Sequence, residues 1–141
     1  MKWLFALVVL AVIAYVVYIR QTAPRTPAEQ RAAAMRTPAG VAQYFCEAAM
    51  RGSAADMDAV STEKGAGRGA EVIRALRAEE QAMRTSAVKA VVLVGGGALS
   101  DVRDVKAILQ DAAGAHVLVI SAIRTEKQPD GSWRITYVSV D

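Results

Sequence analysis

The sequence predicts an α+β protein in which an N-terminal transmembrane helix precedes helices packed on a curved four-stranded antiparallel sheet. Three observations carry that prediction. The run "WLFALVVLAVIAYVVYI", Trp3 to Ile19, holds no charge and no strongly polar side chain. Apolar residues between Pro38 and Met83 then recur at helical spacings of three and four. From Ser86 onward β-formers dominate, interrupted by glycine and proline.

The first element is an anchor, residues 1–20. At 1.5 Å per residue its apolar run spans roughly 25 Å as a helix, near the short end for crossing a bilayer. Hydrophobic residues make up 53% of the 141 residues, and much of their excess over a soluble average sits here. Trp3, Tyr15 and Tyr18 lie near the ends of the run, where amphipathic rings favour the membrane–water interface; Leu4 and Phe5 join them in the anchor. A cleaved signal peptide is the rival reading, because Met1-Lys2 before an apolar run also begins such peptides. The run is long for a signal core, and Tyr18, Ile19, Arg20 and Gln21 occupy the positions where small residues would be needed. The expectation is therefore an uncleaved single-pass helix.

Arg20, Arg25, Arg31 and Arg36 follow the span, whereas only Lys2 and the terminal amine precede it. Counted strictly, that asymmetry places the C-terminal domain in the cytoplasm. An N-terminal anchor with a two-residue tail commonly exports the domain attached to it, and the exported side is the expectation adopted. The net charge of +3 arises partly from these arginines. They are candidates for contact with anionic headgroups, worth about 1 kcal/mol each near the surface, or with a partner. A solvated basic tether is the plainer alternative. No nucleic-acid partner is expected, since aromatics do not interleave with a basic run. The single cysteine, Cys46, excludes an internal disulfide.

Residues 21–37 read as a linker with a short helix. Two prolines and no apolar periodicity in "QTAPRTPAEQ" make Gln21 to about Pro27 a linker, and alanine-rich Ala28–Arg36 is helical. The domain proper covers 38–141. Thr37 is a good N-cap and Pro38 suits the first helical position. Val41, Tyr44, Phe45, Ala48 and Ala49 then form one apolar face, with Glu47 and Arg51 paired on the other side. Gly52 ends this helix in a left-handed cap. Ser53 starts a short second one, with Asp56 completing a capping box. After a flexible loop, "STEKGAGRG", a third helix over Ala70–Met83 turns Val72, Ile73, Leu76 and Met83 inward and leaves Arg74 and Arg77 outside.

Strand signals come next, in "AVKAVVLV", "HVLVISAIRT" and "SWRITYVSV". In the last, Trp133, Ile135, Tyr137 and Ser139 alternate against Arg134, Thr136, Val138 and Val140. Pro129-Asp130-Gly131 marks the turn before it. "DVRDVKAILQD" fits either a helix or a strand; the strand is preferred, because "AAGA" then makes a hairpin and four antiparallel strands run in succession.

Helices followed by such a meander resemble the nuclear transport factor 2-like, or cystatin-like, roll, as found in small bacterial membrane-anchored domains. The matching stretches are "VAQYFCEAAMRGSAADM" and the closing "DGSWRITYVSVD", within a span of about Pro38 to Asp141. The resemblance implies a bent sheet wrapped around a helix, leaving a cone-shaped cavity, with Trp133 packing one end. Tyr44, Phe45, His116, Trp133 and Tyr137 are the residues it offers as cavity lining. It also implies residence in a bacterial cytoplasmic (inner) membrane. Enzymes of that superfamily, such as ketosteroid isomerases and dehydratases, carry an acid–base set inside the cavity, while many relatives act as binding or scaffolding modules.

The chemistry-bearing residues point to no reaction. Acid–base catalysis needs a titratable group in an apolar pocket, and no carboxylate is placed by sequence beside His116, the lone histidine. Asp56, Asp58, Asp101 and Asp104 form two spaced pairs without His or Cys partners, so no metal site and no cofactor are expected. "GAGRG" lacks the Gly-Lys-Ser/Thr of a phosphate loop, and "VGGGALS" lacks the full dinucleotide spacing. Cys46 reads as a small buried hydrophobe. The function expected is a non-enzymatic accessory or scaffolding subunit that binds an integral membrane protein complex at the lipid bilayer. A small-ligand or lipid-binding module using the roll cavity is the alternative, as is a cryptic isomerase- or hydrolase-like enzyme using His116 and a tyrosine.

Overall fold

The structure, a computed structural model, describes residues 2–22 and 25–140. Five helices precede four strands: α1 Lys2–Thr22, α2 Pro27–Ala34, α3 Pro38–Arg51, α4 Ala54–Ala59, α5 Gly69–Met83, β1 Lys89–Val94, β2 Val102–Gln110, β3 His116–Lys127 and β4 Trp133–Ser139. The protein is thus α+β, with an N-terminal apolar helix and helices contacting a four-stranded antiparallel sheet. Ala23 and Pro24 of the expected linker lie outside the described residues, as do Met1 and Asp141.

Each helix from α2 to α4 starts where its sequence supplies a cap. Thr26 and Glu29 form a reciprocal capping box at α2, with Pro27 at the first position. Thr37 Oγ1 accepts from Gly40 N at 2.9 Å, and Pro38 opens α3. Gly52, at φ 75°, closes α3 in the left-handed region. Ser53 Oγ accepts from Asp56 N at 3.3 Å, but the second half of the expected box is absent there. The Asp56 carboxylate pairs instead with Arg51 at 3.2 Å, and Glu47, expected to hold Arg51, accepts from Gln43 Nε2. A chain turning back at Gly52 brings Asp56 closer to Arg51 than a helical neighbour four residues away.

The core lies between α3, α5 and the inner face of the sheet. α3 buries Val41, Ala42, Phe45, Cys46, Ala48 and Ala49, and Tyr44 lies at the margin of that stripe. α5 buries Val72 and Leu76, with Ile73 half-buried. Met83, expected inside, is 40% exposed, and the buried position one turn after Leu76 belongs to Glu80. That carboxylate is satisfied on both sides: Arg77 Nη1 donates to Oε1, and Ala87 N donates to Oε2 at 2.8 Å. Arg77 Nη2 also donates to Met50 O at 2.8 Å. One buried charge therefore ties the end of α3, the last turn of α5 and the approach to β1 together, its desolvation offset by charge-assisted hydrogen bonds.

The strands run in the order β1-β2-β3-β4, each antiparallel to the next. The ambiguous "DVRDVKAILQD" is strand β2, burying Val105, Ala107 and Leu109 in alternation. Asp111 Oδ1 accepts from Ala113 N and Ala115 N, which closes the β2–β3 turn.

The two C-terminal strands depart from simple alternation. On β3 the pairing slips between Leu109 and Gln110 and again between Val105 and Ala107 of its partner. On β4, Tyr137 pairs with Arg124 while Ile135 pairs with Thr125, so Thr136 is an extra residue. The expected alternation is corrected in consequence: Trp133, Ile135 and Val138 point into the core, and Tyr137 is half-exposed. Bulges of this kind bend a strand and increase its local twist.

Candidate functional site

The most conspicuous surface is α1 itself. The stretch Lys2–Gln21 is long and apolar enough to cross a membrane, and none of it is buried against the rest of the chain. Trp3, Leu4, Phe5, Tyr15 and Tyr18 are each at least 64% exposed. A single N-terminal, apolar, unburied helix has the form of a membrane anchor or of a signal sequence.

Four arginines, one in the last turn of α1 and three between α1 and α3, hold no ion pair among the described residues. Among the described residues, Arg51, Arg68, Arg77 and Arg124 hold ion pairs, whereas Arg20, Arg25, Arg31 and Arg36 hold none. Arg20, Arg25 and Arg36 are exposed; Arg31 is half-buried, and its Nε has no hydrogen-bond partner. Arg25, Glu29, Ala32, Ala33 and Arg36 line a shallow hollow on one side of α2.

The five residues offered as cavity lining are not brought together. Phe45 and Trp133 belong to the packed core, and Tyr44 lies half-buried against it with Arg51 over its ring at 5.8 Å. His116 opens β3 with its side chain exposed, paired in register with Gln110, and Tyr137 is 50% exposed. Trp133 is fixed at both levels: its side chain is buried, and its N–H donates to Met35 O at 2.7 Å. The closing tryptophan therefore locks the C-terminal end of α2 to the edge of the sheet.

The glycine-rich segment before α5 serves packing. A Cβ at Gly67 would meet Phe45 Cε2 at 2.7 Å, and one at Gly69 would meet Met57 Sδ at 3.2 Å. Both glycines are buried, so "STEKGAGRG", expected as a flexible loop, includes close contacts with α3 and α4. Asp58 Oδ1 accepts from Gly65 N at 3.1 Å, and Arg68 Nη1 reaches Val138 O. Next to it, Thr62 N donates to Ile135 O and Ile135 N donates to Val60 O, both at 2.9 Å. This pairing of Ser61–Thr62 with β4 covers the sheet edge there. A lone serine–threonine pair between a helix and a loop carries no strand signal in the sequence.

Two titratable groups are displaced from their ordinary behaviour. Burial, followed by the neighbouring Glu47 charge, pushes the Cys46 thiol up to about 12. Asp130 is held below the ordinary carboxylate range, first by the Ser132 hydroxyl and then by the Ser132 N–H, in the β3–β4 turn. Neither arrangement activates a nucleophile or a base. Among the described residues no three His, Cys, Asp or Glu side chains converge as metal ligands.

No family model, no curated protein and no solved structure matches the chain.

Proposed function

We propose that this protein is a single-pass membrane-anchored accessory or scaffolding subunit that binds a larger integral membrane complex and performs no chemistry of its own. One observation carries the reading. Twenty residues of apolar helix find no cover within the chain, so lipid or the helices of other proteins must cover them. A domain held within a few nanometres of the bilayer by that helix gains effective concentration for other membrane proteins. We place the domain among the nuclear transport factor 2-like rolls; helices followed by a bulged antiparallel meander support that placement. It sits on the exported face of a bacterial inner membrane.

The test is gentle detergent extraction of the full chain, tagged at its C-terminus, from native membranes, followed by affinity purification, intact mass and proteomic identification. A retained α1 with stoichiometric membrane subunits is the expected result. A protein that emerges alone, or one that has lost its first twenty residues, overturns the reading.

A further inference from the structure

We infer that the side of α2 flanked by Arg25 and Arg36 lies on anionic phospholipid headgroups, so that the tether is a second membrane contact rather than a solvated spacer. The inference rests on the reading of α1 as an inserted anchor. Charge is segregated along the chain: Arg20 to Arg36 carries four arginines against Glu29 alone, a net of +3. From Pro38 to Asp141 twelve Lys and Arg face thirteen Asp and Glu, a net of −1. The one carboxylate of the tether is already engaged, since Glu29 Oε2 accepts from Thr26 N at 3.2 Å.

Geometry adds to charge. Arg25, Glu29, Ala32 and Arg36 succeed one another at spacings of four, three and four, and all four are exposed. Glu29 and Ala32 lie on α2, Arg25 precedes it and Arg36 follows it, and all four border one hollow. The opposite fate holds for Met35, which is buried and hydrogen-bonded through its carbonyl to Trp133. The Met35 end of α2 is thus fixed to the domain, while the exposed Arg25 and Arg36 flank the helix at its two ends and border one hollow with Glu29 and Ala32. Only four residues separate the end of α1 at Thr22 from the start of α2 at Pro27. That distance keeps Arg20 and Arg25 within about a Debye length of a bilayer holding α1. Guanidinium groups match phosphate oxygens in fork geometry, and each basic side chain near an anionic surface contributes about fivefold in partition. Laying α2 on the headgroups brings Arg36 into range as well.

The experiment uses the full chain with Ala32→Cys, carrying an environment-sensitive fluorophore. Cys46 is buried, so the new thiol is the reactive one. The protein is reconstituted into phosphatidylcholine vesicles with and without roughly 30 mol% phosphatidylglycerol. We expect flotation with both vesicle types. Only the anionic ones should protect the label, with access to a neutral aqueous quencher falling about threefold or more and returning at high salt. Arg25→Gln/Arg31→Gln/Arg36→Gln abolishes that protection, and the corresponding lysine triple variant retains most of it.

Flotation without any dependence on anionic lipid overturns the inference while leaving the anchor intact. Failure to float with phosphatidylcholine overturns the anchor reading and this inference with it. Protection by soluble glycerol 3-phosphate alone also overturns it, since the groups would then take a free anion. Should the glutamine variant misfold, the lipid and salt dependence of the otherwise unaltered protein decides the matter.

Discussion

A methyl group added at Gly67 would lie 2.7 Å from Phe45 Cε2 and 2.9 Å from Ser61 Oγ, both in buried residues. Neither neighbour is the free end of a flexible chain. Gly67→Ala should therefore cost about 1–3 kcal/mol in urea unfolding of the detergent-solubilised chain. Gly97→Ala, which meets nothing within 4 Å, should stay within about 0.5 kcal/mol of the parent. Cys46 makes a prediction of a different kind. Its folded-state thiol ionises only at about 12, whereas the unfolded thiol does so near 9. Its contribution to stability is complete below that lower value and is lost as pH rises from about 9 toward 12. Unfolding measured from pH 8 to 11 should show a steeper alkaline loss for the parent than for Cys46→Ala. Asp130 acts with the opposite sign: its depressed pKa stabilises above the ordinary carboxylate value, about 3.9, and that contribution disappears as pH falls below it.

At the scale of elements, the sheet is most informative where it breaks its own rule. The bulge at Thr136 turns Val138 inward and Tyr137 outward. Val138→Ala should then cost about 1–3 kcal/mol, whereas Tyr137→Ala should cost well under about 1 kcal/mol; a regular strand predicts the reverse order. Thermal unfolding of the pair distinguishes them. Glu80→Ala leaves Ala87 N without its acceptor and Arg77 without its partner, a loss of about 2 kcal/mol, and Glu80→Gln should recover part of it. These same places mark the limit of what was legible in the primary structure. Caps at Thr37 and Gly52, the α3 stripe and the strand character of β2 arise from local periodicity and local hydrogen bonding, so they could be read directly. A bulge is a relation between two strands, and the burial of Glu80 depends on Ala87, seven residues away. No local pattern encodes either. The residues divide likewise: the apolar N-terminal helix and the arginines after it are plain in the sequence, whereas the scatter of His116, Tyr137 and Trp133 depended on register.

At the scale of the whole molecule, a long uncovered helix and a near-neutral domain meet at a basic tether, and the predicted stoichiometric membrane complex tests that arrangement as a unit. A last consequence comes from the two sides of the sheet. The first half of β4 is covered from within the chain: Met35 O accepts from Trp133 N, and Val60 O and Thr62 N bond to Ile135. β1, at the other end of the strand order, has no neighbouring strand beyond it among the described residues. The two edges of the sheet are therefore unlike. Two copies meeting through β1 would form a closed, two-fold contact in which each occupies the other's β1 edge. A contact made through β1 alone ends at a pair, because each copy uses the edge that a third would need.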